Sequence, residues 1–136
     1  MAGDWNTQII EEFRANHGKV GGFLAAHELL LLTTTGAKSG LRRTTPLVFI
    51  RDGDDIVVVA SDSGAATNPA WFHNIRVNPE VTLEVGGEVV QARAAAITEG
   101  PDRDRLFAAM VEEMDRFAGY QDQTDRVIPV VKFTLH

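Results

Sequence analysis

The sequence has no cysteine and only one tyrosine, Tyr120. The first absence excludes disulfides, zinc–thiolate sites and cysteine nucleophiles, and it suits a cytoplasmic protein. The second leaves a single phenol as a candidate proton donor. Long hydrophobic runs are missing too: "IVVVA" at 56–60 is far shorter than a membrane span. The N-terminus "MAGDWNTQII" has neither a basic n-region nor an apolar h-region, so no secretory signal is expected. Positive charge is scarce. Thirteen Lys and Arg against 19 Asp and Glu give a net charge of −6, which argues against a broad nucleic-acid-binding surface. The four histidines, His17, His27, His73 and His136, lie far apart without the short spacing of a metal motif, and no metal is expected.

What remains is a soluble composition, 44% hydrophobic and 24% charged, on 136 residues, enough for one domain over 1–136 with a core of its own. "DWNTQIIEEFRANHG" predicts an amphipathic helix within a lead-in over 1–20, capped by Asp4 or Asn6 and ended by Gly18. "ELLLLTTT", "RRTTPLVFIRDG" and "DIVVVASD" predict three strands, joined by the turn "GAKSG" and by a hairpin at "DGDD". Val57 to Val59 are β-branched in succession, as in a strand buried on both faces. Asn68 followed by Pro69 predicts a helix start, with Asn68 as the cap, and Asn78-Pro79 predicts its end. "EVTLEVGGEVVQARAAAI" predicts a hairpin around Gly86-Gly87. "GPDRDRLFAAMVEEMDRF" predicts a helix burying Leu106, Phe107, Met110, Val111, Met114 and Phe117. "AGYQDQTDR" reads as irregular. "VIPVVKFTL" reads as a last strand, with Pro129 implying an edge or a bulge. About six mostly antiparallel strands and two or three helices give an α+β, mainly β, fold: a small barrel or strongly rolled sheet with helices over its openings.

The stretch "TTTGAKSGLRRTTPL" concentrates cations in an acidic chain. A glycine-flanked turn can aim successive backbone N–H groups into one concavity. Lys38 adds a point charge and Ser39 a hydroxyl. In a regular strand Arg43 and Thr45 share one face, with Arg42 and Thr44 on the other, so Lys38 and Arg43 can reach one anion, and a phosphate suits them. From residue types alone, a merely solvated turn reads equally well. It is not a nucleotide P-loop, because the GxxxxGK[ST] spacing is absent and a strand follows. "ASDSGAATNP" leads to a helix N-terminus that can hold an anion or simply cap itself. Trp71 is more often core than cofactor wall on such a helix, and Tyr120 is either a proton donor or a rim residue.

Three segments, "LLLTTTGAKSGLRRTTPL", "VVVASDSGAATNPAWFHNIRVNPEVTLEV" and "YQDQTDRVIPVVKFTL", together resemble the deazaflavin-dependent nitroreductase family, the reductases known from actinobacteria that use coenzyme F420. The likeness covers residues 21 to 135. It implies a split β-barrel and a hydride transfer from reduced coenzyme F420 to an electrophilic small molecule: the activated C=C of an enone or unsaturated lactone, or a nitro compound. By motif position it places the cofactor's phosphate on Lys38, Ser39 and Arg43, with Ala37, Gly40, Thr44, Thr45 and Pro46 close by. Val59, Ala60, Ser61 and Asp62 would run along the deazaflavin, largely through backbone amides, and Ala70, Trp71, Phe72 and Asn74 would cover it. Ser61, Tyr120 or water would supply a proton. Three positions depart from the pattern. Asp62 stands where relatives often carry lysine, Ala37 where some carry a basic residue, and Tyr120 is alone where several have more tyrosines. The alternatives are an FMN-dependent reductase, whose phosphate would use the same cations, and a non-catalytic binder of flavin, haem or lipid on the same barrel. A monomer or homodimer is expected, with no integral membrane segment and at most weak peripheral membrane contact.

Overall fold

Apolar residues that run without alternation, Leu29–Leu32 and Ile56–Val59, must be covered on both faces, and the fold provides a cover for each. The computed structural model describes residues 2–136, without the side chains of residues 2–5 and 23. Its elements are α1 (Ala2–Ala15), β1 (Leu29–Thr35), β2 (Arg42–Val48), β3 (Ile50–Asp52), β4 (Asp55–Val59), α2 (Ala70–Val77), β5 (Glu80–Val85), β6 (Glu88–Ile97), α3 (Pro101–Glu113), α4 (Arg116–Asp122) and β7 (Val130–Leu135). All strand pairs are antiparallel, in the order β2-β1-β5-β6-β7-β4-β3. Only Phe49 separates β2 from β3. The two ends of the sheet are therefore halves of one chain segment, and the sheet rolls into a split barrel. Counted this way, the seven strands are the six of the sequence reading with one broken at Phe49.

Alternate residues of each strand serve two cores. Leu30, Leu32, Ile56 and Val58 point into the barrel with Phe133, where Trp71, Phe72 and Ile75 of α2 plug it. Leu29, Leu31, Val57 and Val59 point outward and are covered by Phe13 of α1, by Leu106, Phe107 and Met110 of α3, and by Phe117 of α4.

Five local expectations are corrected. Helix α1 begins at Ala2, so Asn6 lies inside it and caps nothing, while the side chain of Asp4 falls outside the described residues. The helix predicted up to Phe117 breaks at Met114, which is extended (φ −146°, ψ 106°). The stretch read as irregular then forms α4, so the apolar pattern continues across the break on a second helix. Pro129 marks no edge: β7 lies between β6 and β4, and Pro129 precedes its first residue, where its carbonyl accepts the Ala60 N–H at 2.9 Å. Asn68 does not cap α2. Pro69 stands at the cap position and no side chain caps the helix, because the Asn68 Oδ1 accepts from the Arg126 Nη1 at 2.8 Å.

Candidate cofactor cleft

The turn after β1 is shaped by its own hydrogen bonds. The Gly36 N–H goes to the Leu41 carbonyl (2.7 Å), the Gly40 N–H to the Gly36 carbonyl (3.0 Å) and the Leu41 N–H to the Ser39 Oγ (3.1 Å). Glycine is required at 36 for closeness, since a Cβ there would stand 2.5 Å from the Ser39 Oγ. The Ala37 N–H donates to the Asn74 Oδ1 (2.9 Å), and the Asn74 Nδ2 donates to the Thr34 Oγ1 (3.1 Å). Asn74 thus ties α2 to the turn. Among the described residues the Lys38 and Ser39 amides find no acceptor.

These amides open on a cleft of about 1120 Å³ between the turn, β2, the start of α2, and Asn6, Thr7 and Ile10 of α1. Lys38, Arg42 and Arg43 line it with His73, and among the described residues no carboxylate does. Among the described residues none of the three cations is in an ion pair, although most other arginines of the chain are paired. Arg42 makes only a hydrogen bond to the Thr82 Oγ1 (3.0 Å). Because β2 is a terminal strand with one free edge, residues from both of its faces reach the cleft: Arg43 and Thr45 from the inner face, Arg42 and Thr44 from the outer. The Thr44 hydroxyl is bonded to that of Thr33 (2.8 Å). Such a site suits a phosphate: three uncompensated cations, two free amides and a hydroxyl within one concavity. Trp71, Ala70 and Ile10 add apolar wall for a ring system.

Of the residues singled out in the sequence, Ala37, Lys38, Ser39, Arg43, Thr44, Thr45, Ala70, Trp71 and Asn74 come together on this cleft. The others lie outside its walls. Gly40 closes the turn, and Pro46 pairs with Leu31 deeper in β2. Val59, Ala60 and Phe72 are core. Tyr120 stands on α4 with its ring edge-on to Phe117 at 6.0 Å, packed against the outer core. Arg42, His73 and the α1 residues went unselected in the sequence. Which strand ends the sheet, and where α1 docks, are long-range facts that no local pattern carries.

Ser61 and Asp62 sit on the loop between β4 and α2. Asp62, Ser63 and Gly64 all have left-handed backbone (φ 46°, 54° and 82°). Glycine at 64 is doubly required, since a Cβ would also stand 2.9 Å from the Tyr120 carbonyl oxygen. Arg126 grips this loop from behind. Its Nε donates to the Ala65 carbonyl (2.8 Å) and its Nη2 to the Ser61 carbonyl (2.9 Å). Burial pushes the Arg126 guanidinium below its ordinary value, and the charge of Asp62 partly offsets this.

A family model described as F420H(2)-dependent quinone reductase matches residues 5–134. The chain belongs to that family. An F420H(2)-dependent quinone reductase of Mycobacterium tuberculosis (strain H37Rv) is 39% identical over 125 residues, covering 90% of this chain and 84% of the relative. The solved structure of an F420-H2 dependent reductase (FDR-A) is 37% identical, with a TM-score of 0.70 over 77% of this chain and 92% of that one. A structure described as a domain-swapped dimer is 32% identical, with a TM-score of 0.72 over 98% and 99% of the two chains. The haem-storage protein HutZ from Vibrio cholerae, at 16% identity and a TM-score of 0.62 over 96% and 90%, shares the fold alone. This reductase is an oxidoreductase whose cofactor is reduced coenzyme F420. Among its described residues no helix is long and apolar enough to cross a membrane, and no group of His, Asp and Glu is placed to hold a metal ion.

Proposed function

We propose that the reductase holds the phosphate of coenzyme F420 on Lys38, Arg43 and the Lys38 and Ser39 amides, and delivers a hydride to a quinone or a similar conjugated enone. The observation that carries this reading is the cleft itself, which among the described residues is lined by three cations outside any ion pair and by no carboxylate, in a chain of net charge −6. A quinone is a doubly conjugated enone, so the quinone in the relatives' names supports choosing the enone among the enone, unsaturated lactone and nitro compound expected from the sequence. When bound, the cofactor would supply two electrons and one proton together, as hydride. The protein's part is to bind, orient and screen. Lys38 and Arg43 neutralise the phosphate, and Asn74 fixes the turn that carries Lys38 beside Arg43 of β2. Trp71 walls the ring's side of the cleft, and α1 narrows the mouth through which the acceptor enters. The acceptor oxygen gains negative charge and needs a donor. Ser61 and Tyr120 lie off the cleft wall, so we assign that proton to water in the open cleft. The same off-wall placement makes the Ser61–Asp62 loop a support of α2 in this reading.

Fluorescence titration with coenzyme F420 and with FMN, on wild type and Arg43→Ala, tests the assignment. Charge-assisted hydrogen bonds contribute about 1.5–3 kcal/mol each. Lys38→Ala and Arg43→Ala should each raise the Kd for coenzyme F420 roughly 10- to 100-fold and change the rate of transfer from bound cofactor far less. An unchanged Kd in both variants would remove the phosphate from this turn, and a preference for FMN would keep the site but change the cofactor.

A further inference from the structure

Arg126 is a half-buried guanidinium that, among the described residues, meets no carboxylate within ion-pair distance and spends its donors on one loop. Besides the Ala65 and Ser61 carbonyls it reaches the Ala60 carbonyl from both Nη atoms (3.3 Å each) and the Asn68 Oδ1 (2.8 Å). A planar five-donor fork is the side chain suited to gathering several fixed carbonyls at once. The loop needs such a grip, since two non-glycine residues in left-handed backbone persist only where their surroundings over-determine them. The base of the fork is itself held. The Gln121 Nε2 donates to the Arg126 carbonyl (2.7 Å), while the Gln121 Oε1 accepts from the Ile128 N–H (3.0 Å) and from the Nη2 of Arg103 (2.7 Å). Arg103 is buried on α3, with its guanidinium 4.2 Å from the Phe107 ring centroid. From α3 the hydrogen bonds therefore run through Gln121 to Arg126, and through Arg126 to Asn68, two residues before α2 begins. Asn74 of α2 then holds the turn at Ala37.

We infer that Arg126 is a positioning residue of the cofactor cleft. By clamping residues 60–68 it sets where α2 starts, and so where Trp71 and Asn74 stand relative to the cationic turn. It touches neither cofactor nor substrate. This inference rests on the cofactor reading above for its consequence, but not for its first test.

That test needs no ligand. In a Trp5→Phe background the emission of Trp71 reports the seating of α2. Arg126→Met should shift this emission to the red and raise the Kd for coenzyme F420 about tenfold or more. Arg126→Lys, which keeps the charge without the fork, should fall between it and wild type, and it serves if the Met variant does not fold. Leu106→Ala, a core truncation on α3 away from the cleft, is the comparison. It should lower Tm yet leave both the Trp71 emission and the Kd near wild type at a temperature where every variant is folded. The inference is overturned if Trp71 emission is unchanged in Arg126→Met and Arg126→Lys. It is equally overturned if emission shifts but the Kd does not, or if Leu106→Ala loses affinity in step with its loss of Tm. A wild type that fails to bind coenzyme F420 through Arg43 would instead overturn the cofactor reading, while the emission result would still decide whether Arg126 positions α2.

Discussion

Asn74 uses both ends of its side-chain amide on the protein, accepting from the Ala37 N–H and donating to the Thr34 hydroxyl. It is therefore a brace between α2 and the cationic turn. Asn74→Ala leaves a part-buried N–H and a buried hydroxyl unpaired, a loss of about 1–3 kcal/mol for such groups. Urea unfolding should show that loss, and cofactor titration should show weaker binding although no cofactor contact has been removed. Tyr120 makes the opposite case. A positioned general acid contributes roughly 10²–10⁴ in rate, and a phenol packed against Phe117 off the cleft should contribute almost none of it. Steady-state turnover of Tyr120→Phe should stay within a few-fold of wild type; a hundredfold fall would restore Tyr120 as the proton donor.

At the scale of elements, the fold rests on what each helix buries more than on the charges at its ends. Helix α1 is held by Phe13, 1% exposed, and by a forked Arg14–Glu84 contact (3.0 and 2.8 Å) whose arginine is largely in solvent. Phe13→Ala should cost about 3–5 kcal/mol, whereas Glu84→Gln should cost less than about 1 kcal/mol. Equilibrium denaturation of the two variants separates packing from surface charge as the anchor of the helix that walls the cleft. The loop before α2 makes a similar point. Gly64→Ala meets both a left-handed backbone and the Tyr120 carbonyl, so it should destabilise by more than the roughly 1 kcal/mol that strained left-handed backbone alone costs.

Across the whole molecule, acid carboxylates tie distant strands together. Hydrogen bonds from Arg105 of α3 and Lys132 of β7 hold Asp52 of β3 below the usual carboxylate range, and those from His136 and Arg93 do the same for Glu80. A carboxylate depressed in the folded state adds stability above its unfolded pKa of about 4 and loses it as pH falls through the folded value. Stability should therefore be level from neutrality down to about pH 5 and fall below about pH 4. Asp52→Asn should be less stable than wild type at neutral pH and should lose less on acidification, as read by urea midpoints at pH 7 and pH 3.

Much of this was legible in the amino-acid sequence, because it depends on neighbours along the chain. The β-branched run Val57 to Val59 announced a strand buried on both faces, Gly86-Gly87 announced a hairpin, and glycines with Lys38 and Ser39 announced a turn able to receive an anion. Order in the sheet is a different kind of fact. The sequence alone could not say that β2 ends the sheet and brings Arg42 to the cleft, that Pro129 precedes an interior strand, or that α1 docks over the turn. Asn68 shows the reason in one residue. Its local propensity is to cap α2, and a guanidinium 58 positions away takes its oxygen instead. Local chemistry wrote the elements and the cationic turn, while contacts between residues far apart in the chain decided which side chains share the site.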